Sequence, residues 1–387
     1  MNKFVFSALA TSLVGATSFA NDTEWPELDR ELAALNNAPL AQDHQDGLNV
    51  SGWIIGAISS ESMDPPNEDT LGTGVHSAAV NLSGSVNDNY SFVLGWNFTD
   101  TGELYAPQGI AVNKTFDGTS AFTTQEGLGG LTDAYVHVAI AEGVGMKVGA
   151  FRRNVTASST VQRNQTLFID RSYLGAMNSS RDTGFAFDGN FSRLNWEVTF
   201  QNGASGMNDD FAYSGHVNID IMGTSSGNEG ALNAAEGTNL NVGLTFADDG
   251  SDHNAQTDQL AGGDGTGSVN VLGSSREAAQ LAVFANLTSG GFSVFGEMID
   301  QDKDANVSGV EATPYSLGLG YLFGENYEVA FRYDDWDDAA NTTKYIFGVN
   351  RYVSGHDIKW QLNIGGGSSD NTANENSTLA VGVALGF

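Results

Sequence analysis

The chain has 387 residues, with 47 Asp and Glu against 16 Lys and Arg, 48 glycines, six prolines and no cysteine, for a formal charge of −31. The lack of cysteine removes disulfides, thiolate metal sites and cysteine nucleophiles, and so acidic a chain has little to neutralise nucleic-acid phosphates. Only 40% of residues are hydrophobic and beyond residue 20 no apolar run approaches the ~18–20 residues of a spanning helix, which excludes a polytopic helical membrane protein.

Residues 1–20, MNKFVFSALATSLVGATSFA, carry one lysine, an apolar stretch and small residues at Ser18 and Ala20. That is the pattern of a secretory signal peptide cut before Asn21, which implies export. Residues 21–46 form a separate segment. There Pro26 precedes ELDRELAALNNA and sets Trp25, Leu28, Leu32 and Leu35 near helical spacing, with proline at a first-turn position. A short amphipathic helix on the periplasmic side is expected, and a disordered linker is the competing reading.

From residue 47 to 387 a period of two takes over, the signature of strands with two different faces. In NYSFVLGWNFT, Tyr90, Phe92, Leu94, Trp96 and Phe98 share one face, and small or polar residues mostly fill the other. The alternation recurs at Phe185 and Phe187, at Leu194–Phe200, at Tyr327–Tyr333, at Ile358–Ile364, and at the end of the chain from Leu379 to Phe387. A soluble sandwich alternates too. Two features favour a membrane barrel: aromatic residues collect at strand ends, and connections alternate between short and long. Tight turns are expected at 87–89, 142–143, 192–193, 289–290, 324–326 and 354–356. Long loops are expected at 61–74, 101–130, 154–181, 248–275, 301–312 and 368–376. Residues 223–237 are the misfit, too long for a tight turn, and hold either a short helix or a miscounted strand.

The segments number about 16, each near the ~9–11 residues that a tilted spanning strand needs. The expected fold is therefore all-β, a closed antiparallel transmembrane barrel with short periplasmic turns and long extracellular loops. A barrel of that size leaves an aqueous channel, where ~8 strands would be filled by side chains, unless its loops or N-terminal segment plug it.

No nucleophile–base pair stands out and no histidine spacing suggests a zinc helix, so neither enzymatic activity nor a cofactor is expected. Charge carries the remaining signal. Six of the ten arginines fall between 152 and 193, and Arg152, Arg153, Arg163, Arg171 and Arg181 lie on or beside the third long loop. Arginines at a constriction favour anions and phosphate; pairing with nearby acids or a subunit interface is the competing reading. Strand parity sends Lys147, Arg153, Arg332 and Lys359 inward, and with them the acids Asp188, Glu197, Glu297, Glu328 and Asp334. Such a mixed lumen fits a general diffusion pore. Asp300, Asp302, Asp304 and Glu311 occupy calcium-loop positions, but Ala305 stands where that loop needs its turn glycine. A solvated acidic loop is the alternative.

The stretch KVGAFRRNVTASSTVQRNQTLFIDRSYLGAMNSSRDTGFAFDG resembles a strand, constriction loop and following strand of the phosphate-selective porins O and P, with its core at Phe168–Ser172 and Arg181–Gly184. Residues 328–365 resemble that family's last strands through Arg332-Tyr-Asp334 and Gly348-Val-Asn350-Arg-Tyr352, and Phe387 matches its terminal aromatic. The resemblance implies a homotrimer of 16-stranded porin barrels in the outer membrane of a Gram-negative-type bacterium, in contact with outer-membrane lipid. It further implies a third loop folded into each pore and a channel for small ions or solutes with an anion or phosphate preference.

Overall fold

A computed structural model describes residues 47–63, 70–98, 131–178, 181–202, 211–249, 280–301, 313–337, 341–370 and 376–387. The expected helix at 21–46, the signal peptide, and Asp302, Asp304 and Glu311 lie outside the described residues. Asp300 lies within them, in the eleventh strand.

Sixteen antiparallel strands form one closed barrel. They are β1 (Asn49–Met63), β2 (Thr70–Asn87), β3 (Tyr90–Asn97), β4 (Leu131–Ala141), β5 (Val144–Arg152), β6 (Arg181–Phe191), β7 (Leu194–Gln201) and β8 (Ala212–Met222). Then follow β9 (Thr238–Asp249), β10 (Gln280–Ser289), β11 (Phe292–Gln301), β12 (Tyr315–Phe323), β13 (Tyr327–Asp335), β14 (Thr343–Ser354), β15 (Ile358–Ser368) and β16 (Asn376–Gly386). Each strand pairs with its neighbours in sequence, and β1 pairs with β16 from Trp53 opposite Gly386 to Met63 opposite Asn376. Phe387 adds a last rung: its N–H donates to Gly52 O at 3.1 Å and its carbonyl accepts from Gly52 N at 2.9 Å. Closure leaves no unpaired edge, the condition for a sheet in lipid.

The alternation of the sequence becomes the two faces of this wall. On β7, Val198 and Phe200 are exposed on the outside, while Glu197, Thr199 and Gln201 are buried inside. On β12, Tyr315, Leu317, Leu319 and Tyr321 face out and Ser316 faces in. Outward rings pair across strands, as Phe185 with Phe200 at 5.1 Å, Phe331 with Phe347 at 4.8 Å and Phe292 with Tyr321 at 4.4 Å between centroids.

One end of the barrel carries the tight turns. Between β10 and β11, Gly290 and Gly291 take φ of 57° and 89°, the two positive values of a turn whose twist matches a hairpin. The exception on this end is the β8–β9 connection, 223–237. It is neither a helix nor an extra strand. It folds irregularly, and Asn228, Glu229, Ala231 and Leu232 are buried.

At the other end the β5–β6 connection turns into the barrel. Arg153 begins it, since β5 stops at Arg152 and parity no longer governs the next residue. It contains two short helices, α1 (Ala157–Thr160) and α2 (Tyr173–Met177), around a 3-10 turn at Arg163–Gln165. The hydroxyls of Thr156 and Ser172 cap the two helices. Between them, Leu167, Phe168 and Ile169 pack on the inner wall: Leu167 and Phe168 with Phe295 and Ala330, Ile169 with Ile55, Ala380 and Ala384. Glycines on the wall permit this approach. A Cβ on Gly348 would sit 3.0 Å from the Phe168 ring, and one on Gly382 would sit 3.0 Å from Ile169.

Candidate pore lining

Most of the thirteen basic and acidic residues singled out from the sequence fall into two groups, one that holds the inward segments and one that lines open space. Arg332 belongs to the first. It is fully buried, pairs with Asp334 at 3.0 Å, and donates to the carbonyls of Asp170 and Arg171 at 2.9 and 2.8 Å. Its guanidinium also lies 4.8 Å from the Phe168 ring centre. Lys359 is fully buried and donates to Thr166 O. Glu297 accepts from the hydroxyls of Ser158 and Ser172 and from Ser158 N, and Asp334 also accepts from Ser316 at 2.6 Å. A carbonyl-rich extended segment has no backbone partner of its own inside a barrel, so wall side chains satisfy it.

The loop arginines are part of this packing. Arg171 is 3% exposed and donates to Ser158 O, while Arg163 is 5% exposed, with Nη2 2.9 Å from His76 Nε2. Asp170 lies 2.8 Å from the same histidine nitrogen. Burial alone would raise the Asp170 carboxyl, but His76, Arg163 and Arg332 outweigh it and hold it below the ordinary aspartate value. Arg152 donates to Ser159 O, Arg181 pairs with Asp133 at 3.0 Å, and Arg153 is half-buried at the start of the loop.

Residues 223–237 reach the loop from the opposite end of the barrel. Glu229 accepts from Leu167 N at 2.9 Å, and Ala231 N donates to Glu328 of β13 at 2.9 Å. Tyr352 donates to the other oxygen of Glu328 at 2.5 Å. Burial lifts the Glu229 carboxyl above its ordinary value despite Arg332 and the Leu167 N–H. Two inward segments thus meet at Leu167 and fill the side of the lumen nearest β13–β16.

The side bounded by β4–β10 stays open. A cavity of about 550 Å³ lies there, lined by Lys147, Asp188 and Glu197, by His137 and His216, by asparagines of successive strands, by Asn154–Val161 residues of the loop, and by Ser225 and Gly227. Of the eight basic residues singled out above, only Lys147 lines it; of the five inward acids, Asp188 and Glu197 do. Lys147 pairs with Glu197, and His137 Nε2 lies 3.1 Å from Asp188 Oδ1. The histidines at 76, 137 and 216, Glu229 and the asparagines were not singled out in the sequence. Strand parity would have turned the histidines and asparagines inward, but polar inward residues look alike until the loop shows which wall stays open.

No family model and no curated protein matches the sequence. Solved structures do share the fold. The outer-membrane protein OmpT of Vibrio cholerae in a trimer form is 10% identical with a TM-score of 0.52, covering 89% of this chain and 100% of that one. Salmonella typhi OmpF in complex with daunomycin is 11% identical with a TM-score of 0.52, covering 88% and 98%. An anion-selective porin from Comamonas acidovorans is 12% identical with a TM-score of 0.51, covering 89% and 100%. The chain is a closed 16-stranded barrel of the outer-membrane type.

Proposed function

We propose that the protein is an outer-membrane porin of a Gram-negative-type bacterium, a water-filled channel for passive diffusion of small hydrophilic solutes and ions. The carrying observation is a closed barrel that retains a cavity of about 550 Å³, lined by charged and amide side chains among others, beside its inward loop. Export by residues 1–20, a periplasmic segment at 21–46, assembly as a homotrimer and the absence of enzymatic activity belong to the same reading. The trimer is supported by the trimer form of OmpT among proteins of this fold. Comamonas acidovorans provides an anion-selective porin on the same fold.

Here the lining favours a weak cation preference over the anion or phosphate preference implied by the arginine-rich loop. Two carboxylates, Asp188 and Glu197, line the cavity with one lysine, Lys147, and charges at the open passage outweigh distant screened ones. Arg163 and Arg171 are buried in loop packing. Planar-bilayer recording in a salt gradient tests both parts. The expected result is stable conductance with a reversal potential on the cation side. Absence of conductance overturns the channel, and a clear anion-side potential overturns the charge assignment.

A further inference from the structure

Five asparagines face the open cavity from five consecutive strands: Asn190 on β6, Asn195 on β7, Asn218 on β8, Asn241 on β9 and Asn286 on β10. They form a band. Asn190 stands opposite Asn195, Asn195 opposite Asn218, and Asn241 opposite Asn286. The strands are staggered between β8 and β9, and there a hydrogen bond carries the band across: Asn241 Nδ2 donates to Asn218 Oδ1 at 2.5 Å. Asn190 Nδ2 donates to Asn195 Oδ1, also at 2.5 Å. Asn286 Oδ1 is itself buried and has no hydrogen-bond partner in the described structure.

A carboxamide offers two donors and an acceptor and no net charge. Asn241 gives its second amide hydrogen to Asp220 Oδ1 at 2.8 Å, whereas Asn190, Asn195 and Asn218 keep further donor and acceptor capacity for whatever passes. Neighbouring strands stand ~4.8 Å apart, so the band repeats hydrogen-bonding groups at a spacing that a ring-sized, hydroxyl-bearing solute can bridge. One level deeper on the same wall Lys147 pairs with Glu197 and His137 lies 3.1 Å from Asp188. Within the band Asp220 accepts from Asn241 and from Ser225 N–H. These carboxylates are thus engaged by neighbours, and the amides supply the open hydrogen-bonding groups. Phe284 lines the cavity beside the band, 6% exposed, with its ring stacked on His216 at 6.0 Å and 13°.

We infer that the asparagine band is a binding step for uncharged, hydroxyl-rich solutes of sugar size on their way through the cavity. The inference rests on the channel reading above and adds its substrate class.

Block of ion current by sucrose in planar bilayers tests it. Sucrose is expected to reduce the current saturably, while a polyethylene glycol of similar size, which accepts but scarcely donates hydrogen bonds, reduces it without saturation. The double variant Asn218→Leu with Asn286→Leu is expected to raise the half-blocking sucrose concentration at least tenfold, each channel being normalised to its own current. A conducting wild-type channel that sucrose affects only as it affects bulk conductivity, or that the glycol blocks equally, overturns this inference alone and needs no variant. An unchanged half-blocking concentration in the double variant also overturns it. A barrel that never conducts overturns the channel reading and this inference with it.

Discussion

Arg332 and Lys359 sit on alternating positions that point into the barrel, and inward direction alone suggested a path for anions. In the folded chain both are fully buried against loop carbonyls, and their charge fastens backbone. Arg332→Ala would remove the ion partner of buried Asp334 and two donors to the loop. Breaking a buried pair by removing one partner typically costs ~3–5 kcal/mol. The midpoint of the heat-induced gel shift in detergent should therefore fall, and the bilayer current should become noisier as the loop loosens; an unchanged midpoint and a quiet channel would contradict this role. His356, in the β14–β15 turn, makes a second residue-scale prediction. Burial, aided by Lys359, lowers its pKa to about 4. The folded state therefore holds fewer protons than the unfolded chain between pH ~6.5 and 4, and stability is present above that window and lost as pH falls through it. The full effect is roughly 3 kcal/mol by the conversion of pKa difference to free energy. His356→Gln should flatten the fall of the gel-shift midpoint over that range, and an equally steep fall in the variant would rule the histidine out.

At the scale of elements, the two inward segments depend on each other. Glu229 is tolerable as a buried acid because Leu167 N–H meets it, and Ala231 N–H is satisfied by a wall carboxylate. Gly230 lies between them. A Cβ there would fall 2.6 Å from the Glu328 carboxylate and 2.7 Å from Leu167 Cδ2, so Gly230→Val should unseat residues 223–237 while leaving the strands paired. Single-channel conductance should rise, and the circular dichroism spectrum should stay that of a β-barrel. A conductance equal to wild type would mean that the segment does not narrow the path. The strands of the wall were legible in the sequence because each has a lipid face and a lumen face, two solvents that force a period of two. The 223–237 segment was legible only as too long for a turn. Its burial depends on a partner 62 residues away, which no local pattern encodes.

For the whole molecule the decisive feature is closure between β1 and β16. Gly52 and Phe387 form its last rung, and a Cβ on Gly52 would lie 2.3 Å from Ala79 O and 2.7 Å from the Phe387 ring. Gly52→Val should push the terminal residue off the seam and cost ~1–3 kcal/mol, the usual range for overpacking. The measurement is again the heat-induced gel shift, with Gly56→Val as the comparison, since that site has no neighbour closer than 4.0 Å. Equal midpoints for the two variants would show that the terminal rung contributes nothing to closure.

Composition and alternation by themselves determined the barrel class, the number of strands, the asymmetry of turns and loops, and the inward direction of Lys147, Glu197, Glu297, Arg332, Asp334 and Lys359. These follow from local rules, because a strand between lipid and water must alternate. Which inward charges hold the loop, which meet open space, and that Asn190, Asn195, Asn218, Asn241 and Asn286 share one band were decided only by tertiary structure. Those relations are set by strand register, by stagger around the closed sheet and by contacts between segments distant in sequence, and the environment so created decides whether a charge serves a permeating solute or a buried carbonyl.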